Sequence, residues 1–172
     1  MFKKLSFLIF FSALSFCWAQ KTDSLQIELP AKYKLKLADS KQNTQMKMLE
    51  YIPEHENWEN YSIIVTKLIM KNAVNVPLET VYEGHKKMTL DKAKGVTINE
   101  ISRNKPGERE YVLFTVETEE FPDSETTESQ VYYFVKGDKD IIMAISAIKA
   151  KKLPQEFIDE WSNIFLKSRI IK

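Results

Sequence analysis

Apolar and polar residues alternate through most of this chain, and the places where the alternation stops mark its turns and helices. Leu25, Ile27 and Leu29 alternate with polar neighbours up to Pro30, and Tyr33, Leu35 and Leu37 alternate with Lys32, Lys34 and Lys36. A period of two is that of a strand with one face on a core and the other in water. Asp39 to Thr44 reads as a polar turn, after which Met46, Met48 and Tyr51 resume the strand pattern, so a hairpin is expected here. Tyr61 to Met70, rich in β-branched residues, reads as a further strand, with helix the open alternative for so short an apolar run. From Pro77 the period changes: Leu78, Val81, Tyr82, His85 and Met88 or Thr89 fall at three- and four-residue steps, and Gly95 offers a left-handed stop. Val96, Ile98 and Ile101 begin a strand closed by the turn Asn104-Lys105-Pro106-Gly107, and Tyr111 to Glu117 is another.

Val131 to Val135 and Ile141 to Ile148 are the clearest strands, joined by Lys136-Gly137-Asp138-Lys139-Asp140. In the second of them both faces are apolar: Ile142, Ala144, Ser146 and Ile148 on one, Ile141, Met143, Ile145 and Ala147 on the other. Such a strand belongs at the centre of a sheet covered on both sides. Pro154 opens a last helix, with Phe157, Ile158, Trp161, Ile164, Phe165 and Ser168 on one stripe. Glu156 and Asp159 suit its positive end, and Lys167 and Arg169 its negative end. The fold class expected is α+β: an antiparallel sheet of about six or seven strands flanked by two main helices, in a single domain over residues 20–172.

The alternation does not extend to the start of the chain. Lys3 and Lys4 precede an apolar run from Leu5 to Trp18, and Cys17 and Ala19 place small side chains three and one positions before Gln20. Residues 1–19 therefore read as a signal peptide, too short to span a bilayer, which takes roughly 20 apolar residues. The destination implied is periplasmic or secreted. Leu14-Ser15-Phe16-Cys17 also resembles a lipobox, but Phe16 stands where a small residue is needed. Cys17 is accordingly read as part of the cleavage site, with lipid anchoring through it as the alternative. A chain of 172 residues less this leader is one ordinary domain. It buries enough apolar surface to fold without disulfides.

Composition narrows the chemistry. With 25 Lys+Arg against 24 Asp+Glu there is no field to attract nucleic acid. The two histidines, His55 and His85, lack metalloprotease spacing, and the one cysteine lies in the leader, so no metal site is expected. No serine occupies a nucleophile elbow, and the four glycines are never clustered as a phosphate loop requires. Glu117, Glu119, Glu120, Asp123, Glu125 and Glu128 form an acidic run that reads as a solvated loop; it lacks the regular spacing of a calcium loop. No catalytic residue and no cofactor is expected.

What remains is surface. Trp58 sits in the polar loop Pro53 to Asn60, where it either plugs one end of the core or stands out as a binding anchor; its place just before a strand favours the plug. His55 lies beside it between two glutamates, and His85 falls on the apolar helix stripe as a packed residue. Of Tyr132, Tyr133 and Phe134, alternate members point to opposite faces, so one side is expected in the core and the other as an aromatic wall. Trp58, His55, Tyr132 and Tyr133 are thus the candidate ligand or partner surface.

The segment Ile52-Pro53-Glu54-His55-Glu56-Asn57-Trp58-Glu59-Asn60-Tyr61 resembles the proline-to-Asn-Trp loop of small exported bacterial proteins of the PsbP-like fold superfamily. The tail, two hairpin strands followed by a Trp-bearing helix over Leu153 to Ser168, is similar to the end of the same fold. The resemblance implies an antiparallel sheet flanked by helices and an accessory or binding role, and brings no active-site motif with it. The function expected is that of an exported, non-catalytic binding or accessory protein of the cell envelope, with an unknown protein or small molecule as partner. The alternatives are a small envelope hydrolase whose residues meet only in three dimensions, and a structural subunit of an envelope assembly.

Overall fold

A computed structural model describes residues 22–104, 108–120 and 127–172. The leader with Cys17, residues 105–107 of the turn before Tyr111, and Asp123 and Glu125 of the acidic run lie outside the described residues. Strands β2 (Leu35–Gln42), β3 (Met46–Pro53) and β4 (Ile64–Met70) form an antiparallel meander. Helix α1 (Leu78–Lys92) then carries the chain to the far edge, where β5 (Thr97–Arg103), β6 (Tyr111–Glu117), β7 (Ser129–Lys136) and β8 (Ile141–Ile148) meander back until β8 pairs with β4. The result is one seven-stranded antiparallel sheet in the order β2-β3-β4-β8-β7-β6-β5. Helix α2 (Gln155–Leu166) lies on the face opposite α1, so the fold is α+β as expected. Among the described residues no helix is long and apolar enough to cross a membrane.

The two-sided apolar pattern of β8 has the predicted cause. On the α2 side, Val65, Leu113, Val131, Tyr133, Ile142 and Ala144 pack with Phe157, Trp161 and Phe165. On the α1 side, Val112, Phe114, Tyr132, Phe134, Ile141 and Met143 pack with Leu78 and Tyr82. Within α2 the three rings lie one helical turn apart, 6.1 Å from Phe157 to Trp161 and 5.5 Å from Trp161 to Phe165. Tyr33 stacks on Trp161 at 6.0 Å and donates its hydroxyl to Glu160 at 2.8 Å. In α1, Leu78, Tyr82 and Thr89 are buried. The helix ends at Lys92, and Gly95, with φ of 60°, serves the turn beyond it.

Several expectations need correction. Tyr33 lies in a 3-10 turn, Ala31–Tyr33, ended by Lys34 at a left-handed φ of 44°, so the strand begins only at Leu35, and Leu37 on it is 53% exposed. Asp39 to Gln42 is strand, not turn: β2 is an edge strand, wet enough to keep polar side chains, and the turn is Asn43 to Gln45, closed by the Asn43 carboxamide oxygen accepting from the Gln45 and Met46 amides. The strand read at Leu25 to Leu29 is only β1 (Ser24–Gln26), and it pairs with β9 (Arg169–Ile171), a strand the pattern did not announce. Arg169 therefore lies in β9 and not in the last turn of α2.

A pair of buried carboxylates locks this small two-stranded unit to the sheet. Asp140 Oδ2 accepts from the Asp23 amide at 2.8 Å and its Oδ1 from the Asn72 amide at 2.8 Å. Asp23 Oδ2 reciprocates, accepting from the Lys139 and Asp140 amides at 2.7 and 3.2 Å. Both residues are 1% exposed. Gly137 is required there, because a Cβ on it would run into Asp23 Oδ2 and the Asp140 carbonyl.

Candidate functional site

A groove of about 520 Å³, open to solvent, runs between α2 and the β5–β6 edge of the sheet. That is within the range of roughly 300–1,000 Å³ typical of small-molecule sites. Its floor comes from the α2-facing side of the edge: Asn99 on β5 lies directly opposite Thr115 on β6, and Ile101 stands at the bulge between Glu100 and Ser102. Its wall is one stripe of α2, Gln155, Ile158, Asp159, Ser162 and Asn163, which helical spacing places on the same face. Burial of Trp161 and Phe165 sets the rotation of the helix, and the polar row flanking them is thereby turned toward β5.

The lining is largely neutral and its hydrogen-bonding capacity is unspent. Gln155 donates to Asp159 at 2.9 Å, which occupies part of the one carboxylate in the groove. Asn99, Thr115, Ser162 and Asn163 make no side-chain hydrogen bond to any described residue. Ser162 is 8% exposed and its Oγ is buried with no hydrogen-bond partner among the described residues, so bulk water is poorly placed to compensate there. Among the described residues no group of three or more His, Cys, Asp or Glu side chains is placed to hold a metal ion.

None of the four residues singled out by sequence lines this groove, and the structure does not bring them together. Trp58 is 46% exposed, which corrects the plug reading. Its loop closes on itself, with Asn57 Oδ1 accepting from the Glu59 amide and Glu56 accepting from the Ser62 amide and hydroxyl, and this holds the indole outside. Trp58 meets Tyr61 edge-on at 6.3 Å, and Lys149 caps the Tyr61 ring at 4.0 Å. Trp58→Ala is therefore expected to change the unfolding free energy by no more than about 0.5 kcal/mol, against about 3–5 kcal/mol for a core plug, as read by urea denaturation. His55 is exposed in the same loop.

Tyr132 and Tyr133 are each 6% exposed, so the expected aromatic wall is instead a second core. Tyr132 stacks on Phe114 at 4.9 Å and donates to Gln130, whose amide reaches Glu128 at 3.4 Å. Tyr61 donates to the same Glu128. Burial raises the Tyr132 hydroxyl pKa and pushes that of Tyr133 up to about 12, so both stay neutral donors.

His85 packs against Tyr132 and Phe134, at 4.6 and 5.4 Å, and its Nε2 is buried without a partner among the described residues. Lys92, Gln130 and Tyr132 share the hollow of about 230 Å³ at its side. Burial lowers its pKa below the ordinary 6.5. A depressed folded pKa gives a contribution to stability that is present above the unfolded value and is lost as pH falls through the folded one. Thermal midpoints are accordingly expected to fall on acidification below pH 6.5 more steeply in the native protein than in His85→Phe. Parallel profiles would contradict this.

The signal for the groove was present in the sequence but weak. Gln155, Asp159, Ser162 and Asn163 border the apolar stripe of α2, and nothing local says which flank meets the sheet edge. No protein-family model matches the chain, and comparison with curated proteins finds no match.

Proposed function

We propose that this chain is an exported, non-catalytic binding or accessory protein of the cell envelope, and that the α2–β5 groove holds a neutral ligand rich in hydroxyl or amide groups. One observation carries the reading: Asn99, Thr115, Ser162 and Asn163 converge on one groove, none makes a side-chain hydrogen bond to a described residue, and the Ser162 hydroxyl is buried in that state. Leaving a buried polar group unpaired costs about 1–3 kcal/mol, which a ligand with matching donors and acceptors recovers. Amides and hydroxyls both donate and accept, so they suit polyols and saccharides better than ions. The single carboxylate disfavours anions. The proposal keeps the PsbP-like relationship suggested by Ile52 to Tyr61 and by the tail, and the leader at residues 1–19 as the route of export.

Saturation-transfer NMR with neutral disaccharides, with and without N-acetyl groups, tests the reading. Transfer is expected to at least one of them, and to be lost in Asn163→Trp, which fills the groove from an exposed position. Absence of transfer to every member of the panel, or equal transfer in the filled variant, would overturn it.

A further inference from the structure

The geometry points to a second site, independent of the groove: the thioethers of exposed Met46 and half-buried Met48 and Met70, on β3 and β4, bind a soft monovalent cation of the copper(I) class. Met46, Met48, Met70, Met88 and Met143, all the methionines among the described residues, lie on the α1 side of the molecule. Three of them are neighbours. Met46 lies directly opposite Met70 on the adjacent strand, and Met48 is the next residue of β3 on the same face, opposite Leu68. Directly opposed residues have Cβ atoms about 4.5–5.5 Å apart. Same-face residues along a strand are separated by about 6.5–7 Å. Methionine, with its unbranched and freely rotating side chain, spans such gaps, so three sulfurs can meet at one point above the strands.

Packing accounts for only part of this arrangement. Met143 and Met70 lie in or against the core beneath α1, but Met46 and Met48 take no part in it. Met46 is 42% exposed, and both line a shallow hollow of about 250 Å³ with Lys41, Gln42, Asn43 and Leu68. The cations beside the hollow have other partners: Lys41 pairs with Asp39 at 2.7 Å and Lys71 donates to the Asn43 carbonyl at 2.7 Å, while Glu50 is the carboxylate that follows Met48 on the same face of β3. A set of neutral sulfur donors without a carboxylate ring selects for softness, which favours copper(I) over zinc, calcium or magnesium. Because thioethers carry no proton to lose, binding is expected to be flat with pH where a histidine or thiolate site would weaken on acidification.

Silver(I), a redox-inert stand-in, is the probe. Titration of the mature protein with silver nitrate in a chloride-free buffer, followed at the methionine methyl groups by carbon–proton NMR, should show saturation at one equivalent. The methyls of Met46, Met48 and Met70 should move while those of Met88 and Met143 stay. Met48→Leu and Met70→Leu, volume-conserving changes that keep the fold, should each weaken binding at least tenfold, and affinity should be unchanged between pH 5.5 and 7.5, an illustrative window around the histidine pKa. Absence of saturable binding, shifts centred on Met88 and His85, or full affinity after both leucine changes would overturn the site.

Discussion

Trp161→Ala should lower the unfolding free energy by about 3–5 kcal/mol, the usual cost of truncating a buried tryptophan. Its side chain is fully buried and touches the Tyr33, Phe157 and Phe165 rings, so truncation opens a cavity at the point where α2 meets the sheet. The indole Nε1 has no partner among the described residues, so the loss comes from packing and not from a broken hydrogen bond. Trp161→Phe should therefore recover most of it. Urea denaturation followed by circular dichroism checks both. Small domains have only about 5–15 kcal/mol to lose, so the alanine variant should sit near its threshold at 37 °C. An alanine variant within about 1 kcal/mol of the native protein would mean that α2 is not docked through this residue.

Asp140→Ala is expected to cost about 2–4 kcal/mol by stranding the amides of Asp23 and Asn72. The effect should be local before it is global. Amide exchange should accelerate first at Leu25 and Ile170, paired across β1 and β9, while Val131 and Ile142 at the sheet centre keep their protection. Gly137→Ala should reproduce the pattern, since its Cβ would run into both the Asp23 carboxylate and the Asp140 carbonyl. Uniform acceleration across all strands would show that the carboxylate pair is not a local lock.

The two predictions also separate what the sequence disclosed from what it withheld. Period and composition revealed β6, β7, β8 and α2 because their side chains face cores on both sides or along one stripe, and burial writes itself into residue type. The pairing of β1 with β9 was invisible: three-residue strands carry no period, and their partner lies at the other end of the chain. Nothing local marks Asp23 or Asp140, because no sequence pattern distinguishes a carboxylate that accepts buried amides from one in water. Trp58 misled for a related reason. Its type suggests burial, whereas its loop is closed by polar contacts that need no core. Ser162 and Thr115 matter only through the crossing of α2 over β5 and β6, a tertiary fact without a sequence signature.

The central claim is that a ligand sits between α2 and the β5–β6 edge. Amide chemical-shift mapping during titration with the disaccharide that shows the strongest transfer tests it most directly. The account predicts saturable shifts confined to Asn99 to Ile101, Thr115 and Gln155 to Asn163, with the Trp58 loop unmoved. Shifts centred on Trp58 and Tyr61, with the groove silent, would contradict it.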